Sequence, residues 1–516
     1  MPLAGSRWQA LPEHPHALAA LIAAFTLLRL ALAASLPLLP QEAYYWQWSL
    51  QPDGSYFDHP PLVAWSIAAS TAVLGQTVLG IKAAAVAWSL VWSLLWARLV
   101  LDLFADRRLA FWSLLALNLT IVYEALGTGP TPDAPLLAGW AGTLWALWRA
   151  VSGGRFLWWL AAGAFAGLAL LGKYSAALLL PVALLFLALS PMQRSWLRRP
   201  GPYLALLVAA AMFTPVLWWN AQHDWASFAF QGSRRVGQMA AFEPRHALML
   251  LGTQLLAVTP YLFVLALAGL GRGVADGWRG QLDDAGRLLL VAGAVPLVLF
   301  FAVSLRSVVK SNWPAPAYAP LIVLALHQWL QRGAPAVGRK LIGLASSALL
   351  VGGMAALMLV PDLPLGNFNT WSGWPAAAAR VAALRAQMAQ RGEEAFVFAP
   401  NYKTGSLMRF HLPGQPRTYA QDIYGLRALQ YDYMPLESDL AGQTGLLVLP
   451  DQRQARVDFG QLAPWFDSIE FVEAVETRAF GRLVRRVEIY RGTNYRGHPR
   501  AAGHAGNSPT PAADEE

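Results

Sequence analysis

The acids Glu42 and Asp58 stand among aromatic residues in a stretch (40–59) that holds no lysine or arginine. Around them run Gln41-Glu-Ala-Tyr-Tyr-Trp-Gln-Trp-Ser49 and Tyr56-Phe-Asp-His-Pro-Pro61. Carboxylates without basic neighbours can accept a proton or bind a divalent cation. The rings beside them, Tyr44 and Tyr45 included, also suit the boundary between lipid and water. Asp58 or His59 could instead cap a helix opening at Pro60. Another acid, Asp133, lies in the turn Gly127-Thr-Gly-Pro-Thr-Pro-Asp-Ala-Pro135, placed to cap a helix or to face a ligand. Cations stand at three further points: Lys173 in Gly172-Lys-Tyr174, Arg234 and Arg235 in Gln231-Gly-Ser-Arg-Arg235, and Lys310 in Lys310-Ser-Asn-Trp-Pro-Ala-Pro-Ala-Tyr318. Lys173 interrupts a long apolar run; lysines there can snorkel, but a charge within a span marks a site by default. The natural counterpart of such cations is an anion, and a lipid phosphate fits. Together these groups suit transfer of a sugar from a lipid phosphate. The cations would steady the departing phosphate, and an acid or a metal would ready the acceptor.

The elements that must position these residues are membrane helices. The 516-residue chain is 56% hydrophobic and 13% charged, against about 25% charged for an average soluble protein. Charges thin out as far as residue 360 and then return, which means spans first and a soluble domain second. The apolar runs predict about eleven spans, at 17–39, 78–104, 109–126, 132–150, 156–171, 174–190, 202–220, 247–270, 286–305, 315–331 and 340–360. Pro60 to Gly75 reads as an interfacial helix. The first run is too long for a cleavable signal and reads as an uncleaved span. Net charge is +9, and its arginines crowd alternate loops: Arg107 and Arg108; Arg149 and Arg155; Arg194, Arg198 and Arg199; Arg272, Arg279 and Arg287; Arg332 and Arg339. The positive-inside rule makes those loops cytoplasmic and accounts for the basicity without nucleic acid. Loop 40–59 and the C-terminal domain then face outward. There is no cysteine, hence no disulfide or thiolate metal site. From 361 a helix (375–391) and strands at 395–399, 445–449, 467–475 and 482–490 predict an α/β domain ending at 492. Residues 493–516 read as a disordered tail.

In order, Glu-Ala-Tyr-Tyr-Trp with Tyr-Phe-Asp-His-Pro-Pro, Thr-Pro-Asp-Ala-Pro, Gly-Lys-Tyr and Asn-Trp-Pro-Ala-Pro-Ala-Tyr resemble bacterial GT-C membrane glycosyltransferases. They are most similar to the families of the protein O-mannosyltransferases and of the lipid A aminoarabinose transferase. The resemblance implies a polytopic α-helical GT-C domain over 1–360 with an outer-face catalytic loop at 40–76, and a periplasmic α/β domain over 361–492, in a bacterial inner membrane. It implies an inverting transfer of a hexosyl or pentosyl group from an undecaprenyl-phosphate donor. The acceptor would be a lipid-linked glycan such as lipopolysaccharide core or lipid A, with a protein hydroxyl as the alternative. In those families the first outer loop opens Asp-Glu, and the Asp is the expected catalytic carboxylate. Here Gln41 stands in its place, followed by Glu42. Either Glu42 or Asp58 takes over, or an acceptor that is already anionic needs no base. We expect Glu42 with Asp58 as catalytic residues, with a divalent metal as their candidate ligand. By the same resemblance Asp58 matches a metal-contacting acid and His59 a phosphate-contacting lysine. The expected substrate contacts are Gln41, Tyr44, Tyr45, His59, Asp133, Lys173, Tyr174, Arg234, Arg235, Lys310, Asn312, Trp313 and Tyr318. A lipid-linked sugar flippase is the rival from another class. It should show broken helices at midplane and symmetric halves, and neither is legible in the sequence.

Overall fold

A computed structural model of the chain describes residues 11–238, 242–330, 337–360, 362–434, 439–451 and 457–497. The side chains of Leu11, 233–238, 337–341 and Asn367 lie outside that description. Helices dominate the first part. They are α1 (Ala17–Ser35), α2 (Pro40–Ser49), α3 (Leu62–Leu74), α4 (Val78–Phe104), α5 (Arg107–Asn118), α6 (Ile121–Thr128), α7 (Asp133–Gly153), α8 (Leu157–Gly172), α9 (Leu179–Leu189), α10 (Pro200–Met212), α11 (Thr214–Gln222), α12 (Ala226–Gln238), α13 (Pro244–Ala257), α14 (Pro260–Trp278), α15 (Asp284–Ser304), α16 (Ala315–Leu330) and α17 (Val337–Leu359). A helix is present where one was expected at 60–75, as α3.

Among the described residues, four helical segments are long and apolar enough to cross a membrane: α1, α4, α15 and Ile342–Leu359 of α17. The number rises to seven when three bent pairs each count as one span, fewer than the eleven expected. The bends correct the reading of unbroken spans. α5 and α6 meet at 79°, α10 and α11 at 45°, and α13 and α14 at 113°. Pro215 and Pro260 open α11 and α14, and proline in the first helical turn suits a new helix, not the continuation of the old one. At the third bend no proline acts; Thr120 caps α6 by accepting from the Tyr123 N–H. Helix packing relies on small residues, as it must where lipid gives no hydrophobic drive. A Cβ at Gly139 of α7 would come within 2.7 Å of the Ala169 backbone in α8.

The C-terminal part is a five-stranded sheet in the order β2-β1-β3-β5-β4, built from β1 (Ala395–Phe398), β2 (Thr418–Tyr419), β3 (Thr444–Pro450), β4 (Ser468–Ala479) and β5 (Arg482–Thr493). β1 is parallel to both β2 and β3, while β5 runs antiparallel to β3 and forms a hairpin with β4. α18 (Trp374–Ala389) precedes β1 and α19 (Tyr402–His411) makes the crossover to β2. Residues 493–497, expected in a disordered tail, pack on the sheet domain instead: Tyr495 is buried and its N–H donates to the Gln443 carbonyl at 2.9 Å. The tail beyond 497 lies outside the described residues. A single apolar cluster joins this domain to α2 and α3, with Tyr44, Trp46, Trp48, Leu407 and Tyr431 among its members. The sheet domain is therefore packed onto the loop that carries Glu42 and Asp58.

Candidate functional site

α2 starts at Pro40, and Glu42, in its first turn, turns back so that Oε2 accepts the Leu39 N–H at 2.8 Å. The same carboxylate receives Lys82 Nζ at 2.7 and 2.6 Å, from the first turns of α4. Both side chains are buried. Across the pair lies Gly129, where a Cβ would stand 2.5 Å from Glu42 Oε1 and press on the carboxylate that Lys82 holds. The expectation that no cation pairs with Glu42 is thus corrected. Lys82 arrives from a span instead of from the loop.

Asp58 is buried just ahead of α3, whose N-cap position is Pro61 and carries no side-chain cap. Its neighbours are tyrosines. Tyr44 hydrogen-bonds to Asp58, and burial first, then the Asp58 charge, pushes the Tyr44 phenol well above its ordinary range. Tyr45 is raised by the same two causes in the same order, and it also feels Asp133 and bonds with Gln41. Tyr174, whose hydroxyl lies 2.7 Å from Ser227 Oγ, is within electrostatic reach of Asp58. Gln231 donates to the Asp58 carbonyl at 2.6 Å, and the His59 ring lies 6.2 Å from that of Tyr45.

Asp133 does not act as an N-cap either. It is the first residue of α7, and its carboxylate takes Lys173 at 2.8 and 2.9 Å and Asn312 at 2.7 Å. Lys173 is consequently a buried ion-pair partner and does not reach for a lipid surface. Asn312 brings its loop to the same cluster, and Lys310, two residues earlier, is exposed beside it. Trp313 packs on Phe300. Tyr318, expected at the substrate, is fully buried in the helical core and donates to Gln254 at 2.9 Å. Arg234 and Arg235 fall within α12, and their side chains lie outside the described residues.

Three features escaped sequence reasoning. Lys82 is one. A second is Arg29 of α1, buried, donating to Asn118 at 2.6 Å and Glu124 at 2.9 Å across the α5–α6 bend. A charge inside a span was the available signal for both. The third is the wall supplied by the sheet domain. Arg427, exposed, stands over the ring of Phe57, the residue before Asp58, at 4.6 Å and over that of Phe230 at 5.8 Å. Among the described residues no group of three or more His, Asp or Glu side chains could hold a metal ion. With the Lys82 ammonium already held against both Glu42 oxygens, a second positive charge shared between Glu42 and Asp58 does not fit this donor set.

Residues 58–219 match the dolichyl-phosphate-mannose-protein mannosyltransferase family. The chain is 29% identical over 298 residues to the lipid A galacturonosyltransferase RgtD of Rhizobium johnstonii, across 56% of this chain and 59% of that protein. It is 28% identical over 325 residues to the undecaprenyl phosphate-alpha-4-amino-4-deoxy-L-arabinose arabinosyl transferase of Pseudomonas aeruginosa, across 59% of this chain and 56% of that protein. The matches thus span less than two thirds of the length of these curated relatives. The fold is similar to that of ArnT from Cupriavidus metallidurans in the apo state, with a TM-score of 0.61 and 16% identity over 95% of this chain and 99% of that one. Against the same protein bound to undecaprenyl phosphate the TM-score is 0.59, at 16% identity over 96% and 100%. The resemblance to the GT-C glycosyltransferases is borne out by sequence and by fold.

Proposed function

We propose that the chain is a polytopic inner-membrane glycosyltransferase that takes a sugar from an undecaprenyl-phosphate donor. The acceptor is a lipid-linked glycan of the lipid A type at the outer face. The observation that carries this reading is Asp58: a buried carboxylate held among three tyrosines, beside the Asp133–Lys173–Asn312 cluster and under the sheet domain. Relatives named for lipid A galacturonosyl transfer and undecaprenyl-phosphate arabinosyl transfer support both the donor and the acceptor class.

In this reading an acceptor oxygen attacks the anomeric carbon while the bond from that carbon to the phosphate oxygen breaks. The electron pair leaves with the lipid phosphate, and the configuration inverts. The acceptor proton passes to the Asp58 carboxylate. Glu42 is not the base, because Lys82 and the Leu39 N–H occupy its oxygens. Its part is to fix α2 on α4 and so to hold Tyr44 and Tyr45 against Asp58. In this reading the exposed cations Lys310 and Arg427, together with His59, meet the departing phosphate, where positive charge lowers the barrier most.

The flippase reading draws on the bent helix pairs, which transporters share. Transfer of label from a radiolabelled undecaprenyl-phosphate sugar to a lipid A extract by the purified protein separates the two, and mass spectrometry of lipid A from a strain lacking the chain then tests the acceptor. A missing uronic acid, hexose or amino-sugar mass supports transfer to lipid A, and an unchanged lipid A spectrum sinks that acceptor.

A further inference from the structure

Where the sheet domain meets the catalytic loop, one residue works on both sides of Asp58. Gln430 lies between β2 and β3, in a short helical turn (Leu429–Tyr433). Its side-chain Oε1 accepts the N–H of Phe57 at 2.7 Å, and its own N–H donates to the Tyr44 hydroxyl at 3.0 Å. With its oxygen taken as an acceptor by Gln430, Tyr44 has its proton free to point at Asp58, with which it hydrogen-bonds. One residue of a distant domain thus clamps the backbone beside Asp58 and orients the phenol that contacts its carboxylate. Gln430 is 4% exposed.

The turn that carries it is braced for the purpose. Asp432 accepts the Ala428 N–H at 3.1 and 3.0 Å, and Tyr431 donates to Gln47 of α2 at 2.7 Å. Leu429 sits in the left-handed region at φ 55°, a conformation that costs a branched side chain energy. Such strain persists only where surrounding contacts impose it, and it gathers at functional sites. Here the contacts that impose it are those that deliver Gln430 to Phe57 and Tyr44.

We propose that Gln430 is a positioning residue for the transfer reaction: it sets Asp58 through Phe57 and Tyr44, so the sheet domain completes the active site. This rests on the glycosyl-transfer reading, and two readouts keep the two apart. Gln430→Met removes the acceptor for the Phe57 N–H at nearly constant volume. In detergent, with a radiolabelled undecaprenyl-phosphate sugar and a lipid A extract, kcat should fall about a hundredfold, as a misplacement near 1 Å would cause, while the KM for the donor stays unchanged. Should that variant fail to fold, Tyr44→Phe deletes the other link, and the same loss is expected. Where both fold, the double variant should be no slower than the worse single, because both act through Asp58.

The second readout needs no activity. The chain has no cysteine, and Ser55, fully buried in the same loop, can become one as Ser55→Cys. Maleimide labelling in the full-length protein should be about tenfold faster with Gln430→Met than without it, because local opening exposes the thiol. Unchanged kcat, multiplicative losses in the double variant, or an unchanged labelling rate would each overturn the proposal. An inactive wild-type protein would count against the transfer reading, and the labelling rate would still decide the clamp.

Discussion

Removing one member of the Glu42–Lys82 pair should destabilise the chain far more than removing both. The side chains are 3% and 2% exposed, and the ammonium lies 2.7 and 2.6 Å from the two carboxylate oxygens. Breaking such a pair from one side costs about 3–5 kcal/mol, because the remaining charge stays buried without its counter-ion. Replacing both members with neutral groups of similar size is often close to neutral. Glu42→Gln keeps an acceptor for the Leu39 N–H, so it tests the charge and spares the helix start. Glu42→Gln and Lys82→Met should each lose about 3 kcal/mol or more, and the double variant about 1, which is a coupling on the order of 5 kcal/mol. Unfolding in mixed micelles, followed by tryptophan fluorescence, measures the cycle. Transfer activity gives the functional half, since the double variant should retain turnover if Glu42 only fixes α2. Single losses that add to within about 0.5 kcal/mol would refute the buried contact. A dead but stable double variant would refute the structural role of Glu42.

Three more outcomes follow from the same geometry. Gly129→Ala drives a methyl group to 2.5 Å from Glu42 Oε1, so thermal stability and turnover should both drop, by about 1–3 kcal/mol for the overpacking; a variant as stable as the parent contradicts the close approach. Lys173→Met leaves Asp133 with Asn312 as its remaining partner, and a loss of about 3–5 kcal/mol in the same unfolding assay is expected. Burial pushes His411 down to about 4 from its usual 6.5. A depressed pKa means the unfolded state takes up the proton first, so stability is full above pH 6.5 and is lost as pH falls toward 4. The loss is at most about 3 kcal/mol, and His411→Gln should flatten that part of the stability-against-pH curve relative to the parent.

The loop 40–59, the Thr-Pro-Asp-Ala-Pro turn and Gly-Lys-Tyr were legible because charge and aromatic residues stand out against an apolar chain. What they bind to was not. Lys82 and Arg29 sit inside runs that read simply as spans, and nothing local says which acid each one meets. The breaks after Phe213 and Val258 carried a proline signal that the apolar runs masked, whereas the one at Leu119 had only a threonine cap. β1 and β3 were visible as fully buried apolar runs. β4 and β5 extend further than their apolar cores suggested because cross-strand pairs such as Glu470 with Arg491 and Glu476 with Arg486 stabilise their charged ends. β2, two residues long, leaves no pattern to find. The docking of Gln430 on Phe57 joins positions 373 residues apart, a contact that periodicity does not encode.

Glycosyl transfer itself is tested most directly by the purified protein in detergent, given radiolabelled undecaprenyl-phosphate sugars and a lipid A extract, with Asp58→Asn alongside. The account predicts label moving from donor to acceptor with the parent, and a rate lower by about 10²–10⁴ in the variant. No transfer with any donor, together with donor translocation in vesicles, or equal turnover in Asp58→Asn, would contradict it.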